Sequence, residues 1–214
     1  GGLWDKYPVD QVATPEGYAR NPELVINFYN ERRKQLLDVV PNAGHLGVAD
    51  LERDFNVTVV TQNVDNLHER AGSTHVIHLH GELTKVCSSR DPYNPHFVKE
   101  LAPEEYEVKL GDKAGDGTQL RPFIVWFGES VPEIETAIRY VEQADIFVII
   151  GTSLNVYPAA GLLNYVPRAA EVYLIDPKPV DTHVMRPIHV IQKGASEGVK
   201  ELKALLTVTQ PPLP

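Results

Sequence analysis

Ile146-Phe147-Val148-Ile149-Ile150-Gly151-Thr152-Ser153 is the stretch on which the fold turns. An unbroken apolar, largely β-branched run suits a strand buried on both faces, and the glycine and hydroxyls after it suit the end of that strand. The design recurs. Residues 57–61 run into Gln62-Asn63, residues 172–175 into Asp176-Pro177, and residues 188–191 stop just short of Gly194-Ala195. Helix-period segments separate these runs at 133–142, about 159–165 and 197–206. This alternation predicts an α/β fold: a Rossmann-like, doubly wound parallel sheet with a smaller inserted lobe. Open parallel sheets take their ligands at the carboxyl ends of the strands, where the small and polar residues fall here.

Outside that rhythm lie two other regions. Asn21-Pro22-Glu23 predicts a helix start, with Asn21 as N-cap and Pro22 at the first position. The helix runs to about Leu37 and puts Val25, Phe28, Tyr29, Arg32 and Leu36 on one face. A second helix is expected over 42–54. Residues 84–120 are rich in Pro, Gly, Asp and Lys and read as an insertion. The expected division is a dinucleotide-type domain from 41–83 and 122–214, with 1–40 and 84–121 forming the small lobe.

Composition excludes several classes. The 214 residues carry 20 Lys and Arg against 29 Asp and Glu, a formal charge of −9, so nucleic acid is a poor partner and a basic peptide an easier one. No apolar run approaches the roughly 20 residues that span a bilayer, and the chain's start carries no secretion signal. One cysteine, Cys87, permits no internal disulfide. A cytoplasmic protein is expected. Oligomeric state is not legible.

Two constellations carry chemistry. Thr61-Gln62-Asn63-Val64-Asp65-Asn66-Leu67-His68 follows a strand directly, so its amides and carboxylate are placed to grip ribose hydroxyls and a carboxamide, or else to form a hydrogen-bonded turn with a helix cap. His75-Val76-Ile77-His78-Leu79-His80-Gly81 packs three histidines into six residues. They read as metal ligands, as a general base near neutral pH, or as structural groups. If 76–80 is extended, His78 and His80 share a face. Gly151-Thr152-Ser153 offers backbone amides and hydroxyls to a phosphate or ribose. With no G-x-G-x-x-G or Walker-type loop in the sequence, neither a conventional dehydrogenase nor a P-loop NTPase is expected.

Taken together the segments resemble the sirtuin family. Residues 61–68 are similar to its T-Q-N-(I/V)-D-x-L-H signature, Ala71-Gly72 to its next small pair, and Leu79-His80-Gly81 to the segment of its catalytic histidine. Arg121-Pro122 with Val125-Trp126-Phe127-Gly128-Glu129 resembles R-P-x-x-V-W-F-G-E, and Gly151-Thr152-Ser153 with Val156 and Pro158-Ala159 resembles G-T-S-x-x-V-x-P-A. The resemblance implies NAD as cofactor and acylated lysine in proteins as substrate. It implies that Gln62 and Asn63 hold the nicotinamide ribose and Asp65 the carboxamide, with Val64 also at the cofactor. Thr152 and Ser153, with Gly151, contact phosphate and ribose, Asp176 and Ala195 border the adenosine, and Trp4 ends the cofactor loop. His80 is then the general base, the acyl oxygen displaces nicotinamide, and free lysine and O-acyl-ADP-ribose result. The peptide adds as a strand between 125–128 and 154–157, touching Val125, Trp126, Phe127, Gly128 and Val156.

A further match concerns the acyl group. Ala13, fifteen intervening residues and Tyr29-Asn30-Glu31-Arg32 resemble the signature of sirtuins that prefer acidic acyl chains. Tyr29 and Arg32 lie i, i+3 on one helix face, a guanidinium grips a carboxylate with two hydrogen bonds, and a small Ala13 leaves room. The chain departs from the family in two respects. Cys87 stands alone, with Ser88-Ser89-Arg90 after it, where most members hold zinc with four cysteines. No metal is therefore expected, and Tyr93, Phe97, Leu101 and Tyr106 are expected to pack the lobe instead. The family's opening strand and glycine loop are expected to precede Gly1, and Leu174 falls near where many relatives carry Asn.

Overall fold

Asn21 accepts a hydrogen bond from Leu24 N at 3.2 Å and Pro22–Leu36 is helical, as the sequence predicts. A computed structural model describes residues 6–151, 159–180 and 186–208. Among these the strands are β1 Val59–Thr61, β2 Val76–His78, β3 Gly81–Ser88, β4 Lys99–Glu100, β5 Leu120–Ile124, β6 Ile146–Ile150, β7 Glu171–Ile175 and β8 His189–Ile191. The chain divides into two compact units. One comprises Gly1–Val40, Thr61–Asn66 and His78–Pro132, the other Pro41–Val60, Leu67–Ile77 and Glu133–Pro214.

The second unit holds the parallel sheet, in the order β6-β7-β8, with Ile149 opposite Leu174 and Leu174 opposite Val190. Leu174 is fully buried within it. Tyr173, Ile175 and Ile191 pack with Val199 and Leu202 of the Ala195–Val208 helix. A glycine makes that close approach possible, because a Cβ on Gly198 would meet Ile175 Cγ2 at 2.2 Å. The second predicted helix is Ala43–Asp50, followed by a 3-10 turn at Leu51–Arg53. No helix among the described residues is long and apolar enough to cross a membrane.

The first unit is built on an antiparallel sheet, β4-β3-β5, that extends past both ends of the insertion expected at 84–120. Val12, Val25, Phe28, Tyr29, Leu83 and Trp126 make its main core. A smaller core gathers Ile26, Val86 and Val108, with Leu101 at its edge. Of the side chains expected to pack this lobe, Leu101 does so. Tyr93 packs as well, meeting the Phe123 ring edge-on, the Phe97 ring lies against Gly115, and Tyr106 contributes its carbonyl. The tie from helix to loop is polar: Asn30 bonds both the N–H and the carbonyl of Val108, while Arg33 donates to Tyr106 O at 2.8 Å and to Asn30 Oδ1 at 2.6 Å. Buried backbone groups are satisfied in this way without regular structure.

Cys87 is buried in β3 and its thiol, 3.7 Å from Pro122 O, is pushed up to about 12 by burial. Ser88 Oγ donates to Asp116 at 2.5 Å and Ser89 Oγ to Gln119 O at 2.5 Å, so the neighbouring hydroxyls tie the sheet to the 116–119 turn. With Cys87 the one cysteine of the sequence and the neighbouring hydroxyls engaged, the residues present do not make up the thiolate set of a tetrahedral zinc site.

Candidate active site

β1 delivers Thr61 and the loop after it. Thr61 Oγ1 accepts from Asn63 N at 3.0 Å, and Leu79 N donates to Thr61 O at 2.9 Å. Val64 packs against the main core of the first unit and accepts from Leu83 N at 2.8 Å. The loop is thus fixed from both ends by groups that are not its functional side chains. Among the described residues, Gln62 Nε2 and Asn66 Oδ1 are buried with no hydrogen-bond partner. An unpaired buried amide costs about 1–3 kcal/mol, so each of these groups calls for a partner, a ligand or a water, to complete its bonding. Asn63 presents an exposed side chain, and Asp65 is half-buried. These donors and acceptors fit a ribose and a carboxamide.

His80 does not continue β2. The strand ends at His78, and Leu79-His80 forms a tight turn into β3. Gly81 makes the turn possible with φ +88°, and a Cβ there would lie 2.1 Å from Phe123 O. His78 and His80 consequently part company. His78 Nδ1 bonds Asn63 O at 3.1 Å and its Nε2 faces Glu82 at 3.8 Å, whereas His75 bonds Thr58 Oγ1 at 2.9 Å and meets the Tyr140 ring edge-on. Both therefore have structural partners of their own. The half-buried His80 ring is lowered in pKa by burial, against which its hydrogen bond to the Gln62 backbone pulls upward. A histidine held neutral beside an amide-rich loop is suited to accept a proton.

Ala13, Tyr29, Val64 and Trp126, remote in sequence, share one cluster. Trp126 Nε1 donates to Tyr29 Oη at 3.0 Å, and burial pushes the Tyr29 phenol up to about 12, so it stays protonated. Arg32 is half-buried one turn along the helix, its guanidinium carbon 5.8 Å from the centre of the Tyr29 ring. Burial lowers its pKa, while Tyr29 and Asp65 pull it back. Along 125–127 the N–H groups are engaged: Val125 N with His80 O at 2.9 Å, Trp126 N with Glu129 Oε1 at 2.9 Å, Phe127 N with Ala13 O at 3.0 Å. A peptide pairing here has to use other backbone groups. Phe127 is exposed and Gly128 takes φ +90°.

Behind this segment is an ion pair to which the sequence reading gave no role. Arg121 reaches both carboxylate oxygens of Glu129 at 3.0 Å, donates to Ile124 O at 2.8 Å and lies 3.8 Å over the Trp126 ring. Tyr93 Oη adds a bond to Glu129 at 3.0 Å. Burial opposes both charges, but Arg121 ends above its usual pKa and Glu129 below its own because each holds the other ionised. Glu129→Ala leaves the buried guanidinium unpaired, and breaking such a pair costs about 3–5 kcal/mol. Urea denaturation is expected to show a loss of that order; a change under about 1 kcal/mol contradicts it.

In the second unit, Gly151, Asp176 and Gly194-Ala195 follow β6, β7 and β8, at the carboxyl edge of the sheet. Gly151 N donates to Ile175 O at 3.1 Å and Asp176 N to Ile191 O at 3.2 Å, so the three ends are neighbours. Asp176 Oδ1 accepts from Lys178 N at 2.8 Å, and Ala195 opens the last helix. Trp4, Thr152, Ser153 and Val156, and the whole 154–157 segment, lie outside the described residues.

Parallel strands with a polar loop at the end of β1 and small residues at the carboxyl edge of the sheet define a Rossmann-like α/β protein of the dinucleotide-binding kind. The Sir2 family pattern matches residues 1–158. A Bacteroides thetaiotaomicron NAD-dependent protein deacylase is 84% identical over 206 residues, covering 96% of this chain and 88% of the relative. A solved Sir2 homologue bound to ADP-ribose superposes with a TM-score of 0.81 at 33% identity, over 98% of this chain and 86% of its own. A Sir2 homologue in complex with NAD gives 0.79 at 35% identity, over 97% and 80%. The chain belongs to the Sir2 family.

Proposed function

We infer that this chain is an NAD-dependent protein deacylase that frees lysine side chains of acetyl groups and, in preference, of succinyl or malonyl groups. The name of the Bacteroides relative and the NAD and ADP-ribose bound by the Sir2 homologues support the NAD-dependent deacylation. The observation that carries the reading is the half-buried His80 imidazole, bonded to the backbone of Gln62, whose own side-chain amide is buried without a partner.

NAD, when bound, supplies the ribose carbon that takes the acyl oxygen as nicotinamide leaves. In this reading His80 accepts a proton from a ribose hydroxyl; Gln62 and Asn63 hold that ribose, Val64 lies at the cofactor, and Asp65 holds the carboxamide. Gly151, Thr152, Ser153, Asp176, Ala195 and Trp4 serve the rest of the dinucleotide. Residues 125–128 and Val156 take the peptide backbone, so specificity rests on the acyl-lysine more than on its neighbours. Ala13, Tyr29 and Arg32 receive the acyl chain: the phenol is a proton donor, and the guanidinium gives a charged fork for a carboxylate. With one water consumed, the products are then nicotinamide, free lysine and O-acyl-ADP-ribose.

Acetyl-, succinyl- and malonyl-lysine peptides, each incubated with and without NAD and followed by mass spectrometry, test this. Acyl loss and nicotinamide release are expected only when peptide and NAD are both present. Binding of NAD with no turnover points to a noncatalytic module, and metal-dependent, NAD-independent deacylation to a hydrolase.

A further inference from the structure

Trp126 stands between two systems that the proposed function treats separately. Its indole N–H donates to Tyr29 Oη at 3.0 Å, its ring is covered by the Arg121 guanidinium at 3.8 Å, and the Tyr18 ring lies 5.4 Å away on a tilt of 40°. Its backbone N–H is held by Glu129, the carboxylate that also grips Arg121. The indole of a fully buried tryptophan is therefore clamped through ring, backbone and N–H together.

An indole N–H is a donor only. Tyr29 Oη has to serve it as acceptor, and the phenol's own proton is then turned away from Trp126. A hydroxyl with that orientation offers its proton on the side away from Trp126 and favours an anionic acceptor there. Because Tyr29 is 0% exposed, an incoming acyl chain has to part the side chains over it before its carboxylate can accept that proton. We propose that Trp126 is the positioning residue for acyl selectivity: by donating to Tyr29 it commits that phenol to donate to the carboxylate of an acidic acyl chain, and the Arg121–Glu129 pair holds the indole in the place that enforces this. The inference rests on the acyl preference proposed above and adds a residue that never touches the carboxylate.

The test is Trp126→Phe, which keeps an aromatic ring beneath Arg121 and removes the N–H. Compared with wild type, the ratio of kcat/KM for succinyl-lysine over acetyl-lysine peptide is expected to fall about tenfold, with the loss residing in KM for the succinyl peptide. Tyr29→Phe is expected to lower the ratio similarly, and the double variant no further, because both act through one hydroxyl. A fall shared equally by both peptides, together with a lowered Tm, marks a merely structural role and overturns the proposal. So do ratios that multiply in the double variant. If Arg32→Met erases a succinyl preference that Trp126→Phe leaves intact, this inference alone fails. If wild type shows no such preference and Arg32→Met changes nothing, the acyl reading fails and takes the inference with it.

Discussion

Replacing His80 by alanine is expected to reduce NAD-dependent deacylation by about a hundred- to ten-thousand-fold, the range that loss of a positioned general base produces. The fold is expected to survive. Alanine keeps the His80 carbonyl, which accepts from Val125 N at 2.9 Å, and loses only the ring's bond to the Gln62 backbone. The tight turn depends on Gly81 and not on the imidazole. Nicotinamide release in the presence of acyl-peptide, read beside thermal denaturation, separates the two contributions. A variant that turns over within a few-fold of wild type removes His80 from the chemistry. The pH dependence carries an independent sign. Burial lowers the pKa of this imidazole, so its proton-accepting form persists to lower pH than in a solvated histidine. The acid limb of kcat/KM is therefore expected below 6.5, with activity falling as pH drops through the group's own pKa.

What the sequence discloses depends on whether a neighbour in the chain or a neighbour in space decides the outcome. The run at 146–150 becomes β6 with the bounds read from its apolar pattern, and Asn21 caps its helix, because both are settled within a few residues. His80 is the contrary case. Alternation carries a strand through it, but the chain reverses there, and the cause is a close approach between Gly81 and Phe123 that no local pattern displays. The small lobe is stapled by Asn30 and Arg33 to partners 78 and 73 residues away, and its β3 strand hides in the polar-looking Gly81-Glu82-Leu83-Thr84-Lys85. Tyr29 reads as a candidate site residue through its resemblance to an acyl-chain signature. Its 0% exposure and its bond to Trp126 are not legible there, because that partner is 97 positions distant. Arg121 and Glu129 were visible as motif letters only. Their pairing required the fold.

Arg32→Met is expected to lower kcat/KM for succinyl- and malonyl-lysine peptides by about 10- to 100-fold, the worth of a charge-assisted, two-pronged contact. Methionine approximates the length and apolar character of the arginine stem, which packs near Phe28 with the guanidinium carbon 5.9 Å from that ring centre, so the helix face is kept and the charge alone is lost. Deacetylation presents no carboxylate and is expected to fall less, shifting selectivity toward acetyl-lysine. It is not expected to be untouched, because Arg32 also lies in the field of Asp65, whose charge helps keep the guanidinium protonated against burial. Removing the cation withdraws a positive neighbour from Asp65 in every reaction, whatever the acyl chain. The ratio of the two kcat/KM values cancels that common part and leaves the acyl contact by itself. Equal losses for succinyl and acetyl peptides therefore mean that Arg32 acts on the loop at Asp65 and not on the acyl chain, and an acidic preference can no longer be credited to this side chain.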